Sequence, residues 1–232
     1  MSNEIHNRLY KVRQRIAAAA YRVGRNPEDI TLIAVTKTVD TEAIWNIYKL
    51  GIRDVGENRV QEFRAKYAKV PAALRWHFIG HLQRNKVKHL VGRIFLLHSL
   101  DRMSLAEEIS RRAMKQQAVV RSLVQVNVSG ETTKSGLAPD EVPSFCKEVA
   151  GLPGLQVEGL MTIAPYGPSE QARPVFRELK ELARKVDDEA GVTMRYLSMG
   201  MSNDFEVAVE EGANILRIGT AIFGPRKSKE GL

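Results

Sequence analysis

Two cations and two glycine-bearing segments carry the chemistry that this sequence offers. Lys37 stands directly after the apolar, β-branched run TLIAVT (31–36), where an ammonium group is a poor way to continue a buried strand. Two readings are open for it. The aliphatic stem can lie along the strand and lead the charge out to water. Alternatively, the amine sits in a partly desolvated mouth, where burial lowers its pKa and readies it to form an imine with a carbonyl. Arg217 lies inside the apolar run NILRIG (214–219), and a guanidinium there is costly unless it meets an acceptor. The segments LSMGMSND (197–204) and RIGTAIFG (217–224) each combine glycine with hydroxyl side chains. Glycine lets a backbone approach an anion closely, and exposed N–H groups with Ser or Thr hydroxyls supply donors. Taken singly, each segment also reads as an ordinary strand-to-loop turn.

These residues need a scaffold to bring them together. Apolar runs of strand length occur at 31–36, 54–56, 76–80, 94–99, 122–128, 157–163, 196–199 and 214–219. Amphipathic stretches at about 3–23, 41–50, 59–69, 85–91, 102–117, 139–150, 169–190 and 204–211 read as helices, with Gly51 at the end of the second. Every strand but the last is followed by a helix, and the amino-terminal helix can supply the missing outer one. Strict alternation argues for a parallel sheet, and eight strands argue for closure, so the expected fold is α/β, a single (β/α)8 TIM barrel with an additional N-terminal helix. No linker-like or low-complexity tract divides the chain, so one domain over 1–232 is expected.

In such a barrel the carboxyl ends of the strands form the working face, and phosphate is often held by the loops after strands seven and eight. Lys37, Asn58, Ser198, Gly200, Ser202, Arg217, Gly219 and Thr220 all fall at those ends. An imine-forming amine, a guanidinium and an anion cradle at one mouth would suit a phosphate-bearing aldehyde with a pyridine nitrogen, which is pyridoxal 5′-phosphate (PLP). That nitrogen would give the buried Arg217 its acceptor.

Other features argue for a narrower set of functions. With 44% apolar and 27% charged residues the chain has the composition of a globular protein. The start, MSNEIHNRLYKVRQR, is polar from the second residue, and no apolar run approaches the length of a membrane span. A cytoplasmic protein without membrane partners is expected. The net charge of +8 raises nucleic-acid binding as a rival. The basic residues are scattered among acids, however, and only 83–93 and 226–229 are locally enriched, so no nucleic-acid partner is expected. Cys146, the one cysteine, reads as a small buried hydrophobe. SGETTKSG (129–136) echoes a phosphate-binding loop but lacks its spacing, and reads as a mobile loop after the fifth strand. His77 and His81 are four apart across a strand end rather than on a helix, so no metal site is expected.

The blocks AVTKTV around Lys37, GENRVQE (56–62), WHFIGHLQRNK (76–86), KSGL (134–137), GLMTIAP (159–165), LSMGMSND and RIGTAIFG together resemble the pyridoxal phosphate homeostasis protein family over nearly the whole chain. The resemblance implies a barrel like the amino-terminal domain of alanine racemase, with PLP held as an internal aldimine on Lys37. It further implies that Arg217 faces the pyridine nitrogen, that Ser198, Gly200, Ser202, Gly219 and Thr220 belong to the phosphate-holding blocks, and that Asn58 lines the ring. The implied role is a non-catalytic PLP carrier in vitamin B6 and amino-acid homeostasis, with PLP-dependent apo-enzymes as candidate recipients, and the sequence does not decide whether Lys134 helps release the cofactor. A monomer is expected. Alanine racemases add a β-rich domain bearing a tyrosine acid/base, and this sequence stops about eight residues after RIGTAIFG. An arginine can only donate to the ring nitrogen, so that nitrogen stays unprotonated and the ring is a weak electron sink. The alternative is a weak PLP-dependent racemase with Lys37 as base and Tyr166 as acid.

Overall fold

The computed structural model describes residues 2–225. Its parallel strands β1 (Thr31–Val35), β2 (Asp54–Glu57), β3 (Arg75–Phe78), β4 (Leu96–Leu100), β5 (Val120–Gln125), β6 (Leu155–Met161), β7 (Tyr196–Ser198) and β8 (Ile215–Ile218) pair in chain order, and β8 pairs with β1 to close the barrel. The α-helices are α1 (Ser2–Arg22), α2 (Thr41–Lys49), α3 (Val60–Tyr67), α4 (Met103–Lys115), α5 (Val142–Ala150), α6 (Arg173–Ala190), α7 (Phe205–Glu210) and α8 (Thr220–Phe223). This is the α/β TIM barrel that the alternation predicts.

Local chemistry sets several boundaries. Asp40 accepts a hydrogen bond from the Ala43 N–H at 2.7 Å, which starts α2, and Gly51, at φ +88°, follows the last turn of that helix. Several elements differ from expectation, and β4, β5 and β6 run 96–100, 120–125 and 155–161 rather than 94–99, 122–128 and 157–163. The 85–91 segment is a 3-10 helix, Arg84–His89, and both α5 and α6 are preceded by 3-10 turns, Pro139–Glu141 and Ser169–Ala172. The last strand does carry a helix, since α8 fits four residues between Gly219 and Gly224. A single turn is too short to show a helical period in sequence.

Side chains on successive strand positions alternate between the helices and the barrel lumen. Outward residues such as Ala34, Val55, Leu97, Val124, Leu160 and Leu216 join the main core beneath the helices. Inward residues Ile33, Leu96, Leu123, Met161 and Ile215 form a separate apolar cluster. The amino-terminal helix takes an outer position: Arg15 and Arg22 bond Glu206 and Glu210 of α7 at 2.6 and 2.7 Å, and Arg8 donates to the Phe223 carbonyl at 3.2 Å.

Much of the basic surface is matched by acids, as where Arg173 contacts Glu170, Glu210 and Glu211 together. The basic tail 226–229 lies outside the described residues. Among the described residues no helix is long and apolar enough to cross a membrane. Cys146 is fully buried, and burial pushes its thiol up to about 12. The 129–136 loop folds back on itself: Val126 bridges Leu137, Gln125 Nε2 donates to the Ser135 carbonyl at 2.9 Å, and Lys134 pairs with Glu131.

Candidate functional site

Lys37 lies two residues beyond β1, between two backbone positions that are held from β2 and α3. Thr36 Oγ1 donates to Glu57 Oε1 at 2.8 Å and lies 3.2 Å from the Gly56 carbonyl. Lys66, buried beside them, donates to the Thr36 carbonyl at 2.8 Å, to Glu57 at 2.7 Å and to Glu62 at 3.0 Å. Glu62 in turn accepts from the Thr38 N–H at 2.7 Å. That last bond holds Thr38 at φ +64°, a left-handed conformation that a β-branched residue rarely adopts. The backbone on both sides of Lys37 is thereby pinned, and the Lys37 side chain is half-buried at the mouth. Burial pushes the Glu57 carboxyl above its ordinary range, against the pull of Lys66 and Thr36. Burial acts the same way on Glu62, but the Thr38 N–H and Lys66 outweigh it and hold Glu62 low.

Arg217 sits in β8 directly opposite Ile33 of β1, so it occupies the strand next to the one that leads into Lys37. It is 4% exposed, and its side chain is met by groups of the protein itself. Nη1 donates to Ser198 Oγ at 2.6 Å and Nη2 to the Thr162 carbonyl at 2.8 Å. Burial draws the guanidinium down to about 10, with the Asp204 carboxylate opposing, so it stays protonated at neutral pH. Ser198 begins a polar chain across the lumen. Its Oγ is 2.9 Å from His98 Nδ1, His98 Nε2 is 3.0 Å from His77 Nδ1, and His77 Nε2 is 2.9 Å from Asp54 Oδ1. Asp54 also accepts from Arg75 at 2.5 Å.

The two glycine-bearing segments meet. Ser202 Oγ accepts from the Ala221 N–H at 3.1 Å, which ties the loop before α7 to the first turn of α8, where Thr220 stands. Gly200 has φ +93°, and a Cβ there would lie 2.6 Å from the Ala208 Cβ, so both conformation and packing demand glycine. A Cβ on Gly219 would lie 3.4 Å from Val35, which places this segment beside the end of β1. Asn58 follows β2 and lines a cavity of about 240 Å³ at the same face, with Gly80, Gln125, Lys134 and Ile163. Asn58 Oδ1 is buried there without a hydrogen-bond partner. Gly80 passes so near Asn58 that a Cβ would come within 2.2 Å of its carbonyl oxygen.

Strand pairing thus brings Arg217 and Gly219 alongside the strand that leads to Lys37, and hydrogen bonds join Ser198 to Arg217 and Ser202 to α8. Asn58 stands farther round the rim. Tyr166 is 95% exposed on the loop after β6. Sequence reasoning places Glu57 at a strand end and Glu62 in the GENRVQE block but gives neither a role, misses Thr36, Lys66 and His98, and weighs His77 only as a metal ligand. His77 instead bonds His98 and Asp54, while His81 contacts Asp101 at 3.3 Å. The i, i+4 spacing of Glu62 and Lys66 was a usable signal for their pairing. Strand alternation, which puts His77 and His98 inward, was the signal for the polar chain.

Comparison with known proteins agrees with the barrel fold. The family described as alanine racemase, N-terminal domain, matches residues 8–227. The pyridoxal phosphate homeostasis protein of Aquifex aeolicus is 50% identical over 222 residues, which cover 95% of this chain and 97% of the relative. The structure of PipY from Synechococcus elongatus with PLP bound superposes with a TM-score of 0.80 at 34% identity, covering 92% of this chain and all of that one. Alanine racemase of Clostridium difficile shares the fold, with a TM-score of 0.74 at 17% identity, and this chain covers 58% of its length. With the barrel, the blocks along it and the extent of these matches in agreement, the chain belongs to the alanine racemase N-terminal domain family, among its pyridoxal phosphate homeostasis proteins.

Proposed function

We propose that this chain binds PLP at the carboxyl end of its barrel and serves PLP and amino-acid homeostasis in the cytoplasm as a non-catalytic carrier, a single barrel domain over 1–232 acting as a monomer. PLP-dependent apo-enzymes are the recipients in this reading. The observation that carries it is the placement of a buried, protonated Arg217 on the strand next to the one that presents Lys37. The names of the relatives and the PLP-bound PipY structure support the same ligand.

The residues present fit the group. Lys37 supplies the amine that would hold the aldehyde, and Arg217 the donor for the ring nitrogen. Ser202, Gly200, Gly219 and Thr220 offer a narrow cradle for phosphate, and the partnerless Asn58 Oδ1 a polar contact at the ring. Ser198 belongs to the site through Arg217, because its hydroxyl is committed to Arg217 and His98. When bound, PLP supplies an aldehyde for amines and a ring that withdraws electrons. Arg217, which has no acceptor, leaves the ring nitrogen unprotonated and so limits that withdrawal. The clamp on Thr36 and Thr38 fixes the backbone from which Lys37 projects. Lys134 borders the same cavity and contacts the Ile163 carbonyl at 3.4 Å, a position from which it can affect release.

Adding PLP to the protein should produce an absorbance band in the near ultraviolet or visible that borohydride fixes covalently on Lys37. The Lys37→Ala variant should lose that adduct entirely, and an adduct of unchanged occupancy would contradict the assignment. Solvent deuterium entering the α-position of an amino acid well above the rate with PLP alone would favour the racemase instead.

A further inference from the structure

The polar chain beneath Arg217 has a direction, and the direction follows from its two ends. Asp54 is an acceptor at one end, because bonds from His77 and Arg75 hold its carboxyl low against the effect of burial. Arg217 at the other end can only donate. Between them lie two imidazoles that are fully enclosed, with Asp54 and Arg75 on one side and Arg217 on the other. Burial keeps both below the ordinary histidine range, His98 well below it, so both are neutral at pH 7. A neutral imidazole has one donor and one acceptor nitrogen. His77 Nε2–H therefore donates to Asp54, and His77 Nδ1 accepts from His98 Nε2–H. His98 Nδ1 then accepts the Ser198 hydroxyl proton, which leaves the Ser198 lone pairs turned to Arg217 Nη1.

We propose that Asp54, His77, His98 and Ser198 form a one-way hydrogen-bond chain whose task is to position Arg217 toward the cofactor ring, which makes His98, His77 and Asp54 positioning residues of the PLP site. The inference rests on the PLP reading for what Arg217 faces, whereas the chain itself belongs to the protein alone. Three physical points support it. The chain crosses the lumen from β2 to β8 through five side chains with no distance above 3.0 Å. An apolar cluster of Ile33, Leu96, Leu123, Met161 and Ile215 shares the lumen, where an incomplete polar chain would be costly. Finally, the second guanidinium nitrogen is held by the Thr162 carbonyl, so two fixed acceptors define the plane of Arg217.

The direction is tested on the unaltered protein without PLP by nitrogen NMR of the histidine side chains. Both His77 and His98 should carry their proton on Nε2 at pH 7, with Nδ1 unprotonated. A proton on His98 Nδ1, or a charged imidazolium at either residue, would overturn the chain. Its consequence is tested with two variants. In His98→Gln the amide oxygen can accept from Ser198 and the amide N–H can donate to His77, so PLP affinity should stay within about threefold, whereas His98→Leu should weaken it about tenfold, or about 1.4 kcal/mol, and shift the band of the bound cofactor. A folded His98→Leu protein with affinity within twofold and an unshifted band would overturn the positioning role. Because the NMR measurement needs neither a variant nor a ligand, it decides on the chain even where His98→Leu fails to fold. If the unaltered protein does not bind PLP, the reading of the ligand fails while the NMR result for the chain still stands.

Discussion

Lys37 and Arg217 belong to neighbouring strand ends, and the protein fixes them by contrasting means. Around Lys37 the hold is ionic and acts on the backbone, through Lys66, Glu57 and Glu62 bonded to residues 36 and 38. Around Arg217 the hold is a chain of neutral groups, Ser198, His98 and His77, that acts on the side chain itself. Under the proposed function the contrast suits two different tasks. An amine that must form and break a bond needs a fixed point of departure, while its own nitrogen remains the reacting atom. A guanidinium that must only donate needs its plane and charge fixed, and neutral partners do so without drawing it into an ion pair.

This contrast can be broken at several points. The largest effect should come from Lys66→Met, which leaves Glu57 buried without its cation. A loss of about 3–5 kcal/mol is expected in urea denaturation, and a loss below about 1 kcal/mol would show that the clamp is not a buried ionic unit. Next comes Ser198→Ala, which removes one acceptor of Arg217 and one donor to His98 in a single change. About 1–3 kcal/mol should be lost, with PLP affinity reduced while Lys37 is still trapped by borohydride.

Acid should separate the two regions by sign. His77 and His98 have depressed values in the folded state, so their contribution is complete above the unfolded histidine value near 6.5 and is lost as pH falls toward their folded values. Asp54, also depressed, adds to that loss through the carboxylate range. Glu57 is raised by burial, so the fold favours its protonation and its contribution grows as pH falls. Stability should therefore decline below about pH 6.5, and Glu57→Gln should steepen the decline at lower pH. A stability profile flat from pH 7 to 5 would contradict neutral histidines in the lumen. The smallest effect belongs to an ion pair outside both regions. Arg22→Ala removes a pair to Glu210 in which Arg22 is half exposed, and should cost less than about 1 kcal/mol.

What the sequence made legible was whatever repeats along the chain or marks a strand end. Alternating strand and helix patterns determined the barrel, because amphipathic periods are local. Lys37, Arg217 and the two glycine-bearing segments stood out because each breaks an apolar run. The short α8 and the 3-10 turns did not, since one turn carries no period.

The clamp and the luminal chain were decided by tertiary structure alone. Glu57 and Lys66 are unremarkable polar residues until closure of β2 and α3 buries them against Thr36. His77, His98 and Ser198 sit on strands three, four and seven, and 100 residues separate His98 from Ser198. Sequence order says that these residues point inward, but only the closed barrel brings opposite strands within hydrogen-bond reach, because contact across a lumen depends on curvature and register that no local pattern encodes.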